Sequence, residues 1–424
     1  MDVIGNNIAN VNTIAFKSSS VSFSEVFYQT TQVASGPNAE TDKGGQNAKQ
    51  IGLGTTVGSI STKIDTEGAS QRTDNPFDVK LTGSGSSFFI VKSNGNTYFT
   101  RAGDFTYDAN GALVTQSGAN VMGWLCNEDG EAIRDVVQPL YVYSSEFTYT
   151  QPEQTTNLKV TGNINAASTN FTTSTGNIAD EKGEAMTVNF YDNLGYRYQA
   201  TMYIKQTVGN NSEYQITAGP VTREGESTDL SFTTTPSTLV FNSQTGQLQA
   251  TSSPVTFNLT AGTTNNLNNF ANGACSISID MSEITMLADE TSFVPEDVAG
   301  KGKAVGKMTS VGIEDDGRIS ASYSNGDTVY IGQIATCSFV NAAGLEKVGT
   351  NMYAATLNSG TFDGIGEAIT DAGGKMSSGT IEMSNVDLAT EFTNMITTQR
   401  GFQANSRIIT VSDTMIEELV NLKR

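Results

Sequence analysis

The sequence predicts a mainly β, multi-domain protein with α-helices at its two ends. Three observations predict it. Between Ser384 and Arg424, the residues Leu388, Met395, Phe402, Ile409 and Ile416 recur every seven positions, the spacing that keeps one stripe of a helix facing a partner. At the other end, Ile4, Ile8 and Val11 fall on one face of a short amphipathic helix. Between them lie short alternating apolar runs punctuated by many of the 42 Gly, with only 16% charged residues, a texture of strands and turns rather than of a helical enzyme fold.

The C-terminal helix is expected from Asn385 to Leu422. Ser384, with Asp387 three residues on, supplies side-chain acceptors for the unpaired amides of the first turn, and Lys423 and Arg424 stand at the negative end of the dipole. Phe392, Leu419 and Val420 broaden the apolar stripe near its ends, whereas Gln399, Gly401, Asn405, Ser406 and Ser412 make its second row polar in the middle. About eight large apolar side chains at ~1.5–3 kcal/mol each leave ~12–24 kcal/mol unrealised if the stripe stays wet. The helix over residues 1–12 is a natural cover, yet at about three turns, and weakened by Gly5 and four Asn, it shields only a fraction. The expected assembly surface is therefore Ile4, Ile8 and Val11 with Leu388, Phe392, Met395, Phe402, Ile409, Ile416 and Leu419, completed by other copies of the chain. The alternative is a helical hairpin core within one molecule.

Composition excludes several classes of function. A net charge of −20 with no basic cluster argues against nucleic acid, whose phosphates need grouped Lys and Arg. The complete absence of His removes the commonest general base and metal ligand. Neither a nucleophile elbow nor a phosphate-cradling glycine loop ahead of a helix is found, so no catalytic, cofactor or metal site is assigned. Asp108, Asn110 and Gly111 resemble the start of a calcium loop, but the place of its bidentate Glu falls on Ser117, and a β-turn is the better reading. Cys126, Cys275 and Cys337 are odd in number and far apart, implying neither disulfides nor a metal site, with Cys337 read as a small buried hydrophobe. No apolar run is long enough to span a membrane, and Met1 opens no cleavable leader.

Along the chain, residues 18–50 are polar and resemble a linker or arm, with Phe23, Val26, Phe27 and Tyr28 as their apolar cluster. Phe88-Phe89-Ile90-Val91 and Thr97 to Arg101 form a hairpin around Asn94-Gly95. Ala185 to Tyr191 and Gln199 to Ile204 form another around Asp192-Asn193-Leu194-Gly195. Gly317 to Gly326 reads as strand then turn.

Asn6-Asn7-Ile8-Ala9-Asn10-Val11-Asn12-Thr13 with Phe16-Lys17, and Ser384-Asn385-Val386-Asp387-Leu388 with Gln399-Arg400-Gly401-Phe402-Gln403-Ala404-Asn405, resemble the two terminal signatures of the bacterial flagellar rod and hook family. Leu81 to Trp124, Leu158 to Asn165 and Phe339 to Tyr353 resemble its β segments. The chain departs from the family in starting inside what is usually a longer first helix. It also carries Ala15 where Gly is usual, which disfavours a left-handed backbone there. The resemblance implies nested domains. Residues 1–20 with 380–424 would be an inner, coiled-coil-like assembly domain and 21–50 an arm. A middle β domain would take 51–144 with 297–379, and an outer one 145–296, both antiparallel.

The function so implied is a structural subunit of the flagellar hook, a flexible helical tube of identical copies carrying torque from rod to filament. Implied partners are the chain itself, rod and hook–filament junction proteins, the export apparatus and the hook cap, in an extracellular place reached without a cleaved signal peptide. The alternatives are a distal rod protein of the same family and, in a different class, a Thr- and Asn-rich β adhesin or binding module over 145–296.

Overall fold

The computed structural model describes residues 1–37, 44–127, 129–167, 183–207, 210–224, 226–260, 275–296 and 298–422. Two helices of more than one turn are seen among them, α1 (Asp2–Ala9) and α2 (Leu388–Asn421), and almost all other regular structure is β. The chain divides into two compact units. The first is built from 1–144, 310–321 and 328–424, the second from 145–309 and 322–327.

In the first unit, strands Thr328–Ile334, Asn120–Leu125, Ser87–Ser93, Asn96–Thr100, Met352–Ala354 and Glu346–Gly349 lie side by side in that order, each antiparallel to the next. Phe88 to Val91 are buried on both faces of this sheet, which explains a continuous rather than alternating apolar run. One face gathers Phe88, Ile90, Phe99, Trp124 and Phe339. On the other, Phe89 meets Phe105 edge-on with ring centres 4.9 Å apart. The Asn94-Gly95 turn joins the first hairpin with both residues at positive φ, as a type I′ turn requires. Asp108 closes its turn on itself, its Oδ1 accepting from the amides of Asn110 and Ala112.

In the second unit, Glu184–Tyr191 and Arg197–Gln206 form the second hairpin. Met186, Val188 and Phe190 alternate inward against Tyr198, Ala200, Met202 and Ile204, giving the period of two that a half-buried sheet needs. Asp192 organises the turn by accepting from the amides of Leu194 and Tyr196. Asn157–Asn165 pairs in parallel with both Cys275–Asp280 and Ile284–Leu287, a crossover that local patterning does not reveal. Cys275 and Cys337 are buried, and burial pushes both thiols up to about 12.

Residues 19–32 and 49–62 are more ordered than their polar composition suggests. Ser19–Glu25 pairs with Thr55–Thr62, and Tyr28–Gln32 with Lys49–Gly52, making a two-stranded ribbon. Phe23, Phe27, Ile51, Leu53, Val57 and Ile60 stand exposed on it. The sequence reading missed these strands because no residue of the ribbon reports a buried face.

Both chain ends enter the first unit through one buried charge cluster. Glu382, Lys17 and Arg101 are almost wholly buried. Lys17 Nζ lies 2.7 Å from Glu382 Oε1, and Arg101 Nε lies 3.1 Å from Oε2. The Gly68 amide donates to the same carboxylate at 2.8 Å, and a Cβ on Gly68 would collide with the Met383 carbonyl. Buried Lys80 donates to the Gly68 carbonyl and to Ser70 Oγ. Two cations, Lys17 and Arg101, thus pair with one carboxylate, and carbonyls of Thr66, Gly68, Ser84, Gly85 and Ser87 accept from Lys17, Lys80 and Arg101. Burial and these pairings set two pKa directions. Burial would raise the Glu382 carboxyl, but Arg101 and Lys17 outweigh it and hold the group below its usual range. Burial pulls the Lys17 ammonium down, further than Glu382 pushes it up.

Ala15 sits beside this cluster, buried, with φ of 54° and its amide donating to the Glu382 carbonyl at 2.8 Å. The expectation that Ala would disfavour a left-handed backbone is corrected. The conformation is kept at a cost of about 1–2 kcal/mol because the bond to Glu382 and the surrounding packing hold it.

Glu382→Gln leaves the buried cations without their anion and is expected to cost about 3–5 kcal/mol. Lys17→Met, which leaves Glu382 paired with Arg101 and Gly68, should cost less than half as much. Because the folded carboxyl is depressed, its contribution is fully present above about pH 4.3 and is lost as pH falls through the lower folded value. The acid-side loss of stability should therefore be shallower in Glu382→Gln. Urea unfolding followed by the fluorescence of Trp124, the single Trp and buried in this unit, measures all three. Equal losses for the two variants would show that the carboxylate is not the keystone.

Candidate assembly site at the terminal segments

Asp387 is the N-cap of α2, its Oδ1 accepting from the Ala389 amide at 3.0 Å and its Oδ2 from Thr390 Oγ1 at 2.8 Å. Those hydrogen bonds, with Thr390 first, hold its carboxyl below the usual range. The expected start at Asn385 with Ser384 as the cap is corrected. Ser384 Oγ accepts only from Val386 N, and Asn385 is occupied elsewhere. Its Oδ1 accepts from the Ser18 amide at 2.8 Å, and its Nδ2 donates to the carbonyls of Lys63 and Thr66. A residue so engaged is held out of the helix. Lys423 and Arg424 lie outside the described residues.

Asn7 does the same service for α1. Its Oδ1 accepts from the Ser19 amide at 3.0 Å, and its Nδ2 donates to the Ser19 carbonyl and to Glu391 Oε1 on α2. Asn351 Nδ2 reaches the Ile14 carbonyl at 2.8 Å, and Lys347 reaches the Lys17 carbonyl while standing over the Phe16 ring. Two asparagines of the terminal motifs are therefore explained: Asn385 bonds backbone more than 300 residues away, and Asn7 bonds Ser19 backbone and the Glu391 side chain.

Beyond this root the helices separate in character. Ile4, Ile8 and Val11 are half-buried, and α1, of 8 residues, covers about 12 Å. The 34 residues of α2 extend about 51 Å, and none of them is buried. Exposure rises from 38% at Leu388 through Phe392 to 73% at Phe402, and Ile409, Ile416 and Leu419 are equally bare. Met395 is half-buried. The structure thus places α1, which carries Ile4 and Ile8, beside the root of α2 through the Asn7–Glu391 bond, and leaves Phe402, Ile409 and Ile416 in solvent.

A second stripe was missed by the sequence reading. Ile408, Met415 and Leu422 also recur every seven residues, Val411 stands between the first two, and all four are exposed. They sit one residue before Ile409 and Ile416, about 100° around the helix. Testing every heptad phase, rather than only the most continuous, would have found them.

The comparisons with known proteins agree with these motifs. Residues 83–166 match the model described as the flagellar hook protein FlgE/F/G D1 domain, and 163–300 the flagellar basal body protein FlaE D2 domain. Residues 377–422 match the flagellar basal body rod FlgEFG protein C-terminal model. The whole chain is 34% identical to the flagellar hook protein FlgE of Treponema pallidum, covering 96% of it. It belongs to the flagellar hook protein family. The hook protein FlgE of Borreliella burgdorferi is 35% identical, again over the whole chain and 96% of the relative. The flagellar basal-body rod protein FlgG of Bacillus subtilis is similar at 28% over 93% of its length, so the rod alternative is the weaker of the two. Among the described residues no group of three or more His, Cys, Asp or Glu could hold a metal ion, and no helix is long and apolar enough to cross a membrane.

The two roles of the site separate experimentally. Asn385→Ala strands the amide of nearly buried Ser18 and should lower the stability of the first unit by about 1–3 kcal/mol. Phe402→Ala removes a side chain that touches water and should change it by no more than about 0.5 kcal/mol. A Phe402→Ala loss of ~3 kcal/mol in the monomer would instead reveal an intramolecular core around α2.

Proposed function

We propose that this hook-family protein builds a flexible helical tube from its own copies, with the apolar stripes of α2 as the contact that propagates it. One observation carries the reading. Two exposed heptad stripes about 100° apart give each helix two neighbours, whereas a closed two-stranded coil uses only one. Repeated between identical copies, that heterologous contact does not close on a dimer and winds into a tube. Residues 1–20 with 380–424 form the inner layer of such a tube. Residues 21–50 then act as an arm, 51–144 with 297–379 as a middle layer and 145–296 as an outer layer. The assembly residues are Ile4, Ile8, Val11, Leu388, Phe392, Met395, Phe402, Ile409, Ile416 and Leu419, joined by Ile408, Val411, Met415 and Leu422.

In this reading the tube carries torque between the flagellar rod and filament, and the chain meets rod and hook–filament junction proteins at its ends. The hook cap and export apparatus deliver subunits to an extracellular tip. The protein acts structurally and not as an enzyme, a view supported by its family and its lack of His.

Phe402→Asp and Met415→Asp lie on different stripes. Each should leave the β units folded while raising the critical concentration for assembly roughly 10–150-fold, the equivalent of ~1.5–3 kcal/mol of lost burial per contact. Sedimentation with negative-stain microscopy reads the result. Normal tubes from Met415→Asp, with none from Phe402→Asp, would reduce the contact to one stripe and overturn the two-stripe reading.

A further inference from the structure

The first unit carries a pair of apolar side chains that nothing in its own fold uses. Val340 and Leu357 are fully exposed, at 104% and 102%. Each forgoes the stabilisation that burial of an apolar side chain would contribute. Their loops are not loose. Asn341 Nδ2 donates to the Asn358 carbonyl at 3.1 Å, and Thr356 Oγ1 donates to the Gly344 carbonyl at 2.6 Å. Ser359 Oγ accepts from the Thr356 amide at 2.8 Å, and its hydroxyl turns back to the Thr356 carbonyl. Two short loops are tied into one tip that presents a Val and a Leu to solvent with little ordering entropy left to lose on binding.

The tip lies at the open end of the hairpin formed by Glu346–Gly349 and Met352–Ala354. At the opposite end, the hairpin's turn rims a recess of about 290 Å³ lined by Thr100, Ala102, Thr115, Thr350 and Met352, with Asp104 at its side. That is below the ~300–1,000 Å³ of small-molecule pockets and suits one or two side chains. Its rim is strained, since Thr350 and Asn351 have φ of 47° and 58°. Positive φ is an outlier for β-branched Thr, and such strain collects where a surface is shaped for contact. The turn is held by Thr100 Oγ1 donating to the Asn351 carbonyl at 2.9 Å and by the Asn351 bond to Ile14. Through that bond the socket is continuous with the root of the terminal helices, the region proposed to assemble.

We propose that the Val340–Leu357 tip of one copy seats in the Thr100–Thr350–Met352 recess of a second copy. The inference rests on the self-assembly reading above. Tip and recess lie at opposite ends of one hairpin, so a molecule cannot fill its own. The contact is therefore heterologous and repeats from copy to copy, as a helical polymer requires. The small recess limits its area, which makes it an aligning contact between β units rather than the main source of cohesion.

The test uses full-length chains in a Cys126→Ser background, which removes the half-buried native thiol. Leu357→Cys and Gln116→Cys, the latter on the recess wall, are mixed, assembled and oxidised. Disulfide-linked dimers from the mixture, absent when either variant is assembled alone, are the expected result. Tubes that form without that cross-link overturn the tip-and-recess contact and leave the helical assembly standing. Failure of the unsubstituted chain to form tubes sinks both readings. As a second measurement, Val340→Ser/Leu357→Ser should keep the urea midpoint of the monomer and raise the critical concentration about 5–10-fold. An unchanged critical concentration counts against the proposal.

Discussion

The structure depends on one buried carboxylate. Glu382 lies just ahead of the C-terminal helix, Lys17 just behind the N-terminal one, and Arg101 inside the first β sheet, so a single contact gathers three distant parts of the chain. Closing 365 residues into one loop is costly in chain entropy, although the cost grows only slowly with length. Buried ion pairs are poor sources of net stability but severe penalties on mispairing, because an unpaired charge in the interior costs several kcal/mol. A cluster in which two cations share one anion sharpens that penalty. If the C-terminal segment docks elsewhere, Lys17 and Arg101 lose their carboxylate at once. The arrangement ensures that both ends leave the first unit from the same place and start their helices together.

That common root separates folding from assembly. Asn7, Asn385 and Asn351 spend their amides on backbone near the root, so the geometry there is fixed by groups that a single molecule supplies. From Phe392 outward α2 shows no such bonds to other segments among the described residues, and apart from half-buried Met395 its large apolar residues face water. Long helices in solvent are marginal without a packed face. The free energy left unrealised along α2 is therefore available to association, while the β units keep their own closed cores.

The β hairpins and the terminal helices were legible because each is encoded locally. Asn94-Gly95 and Asp192 to Gly195 set turns, and the alternation of Met186, Val188 and Phe190 sets a buried face. What escaped notice is non-local or lacks a buried face. The parallel pairing of Asn157–Asn165 depends on strands more than a hundred residues away. The ribbon at 19–32 and 49–62 buries too little for its period to show. Asn385 looks like a first-turn residue until its side chain is seen bonding Ser18, Lys63 and Thr66, which moves the cap to Asp387. Ala15 was misjudged for a related reason, since intrinsic backbone preference is a cost of a kilocalorie or two that a well-placed amide and dense packing override.

Identical copies of a chain with a charge of −20 repel one another, so an assembly contact has to be placed where that charge is not. The helix α2 carries four carboxylates, at Glu391, Asp413, Glu417 and Glu418, against Arg400 and Arg407, a net of −2. From Phe392 to Val411 the only charges are the two arginines, and Phe402, Ile408 and Ile409 are exposed within this stretch. Glu391, the acid nearest the root, accepts a hydrogen bond from Asn7. Repulsion between neighbours is thus left to the acidic β units, where water and ions screen it over about 8–10 Å. In the proposed assembly the helices pack by apolar contact, and such contact is non-directional. Helices joined in that way can slide by small amounts without breaking specific bonds, the property a tube needs if it is to bend while it turns.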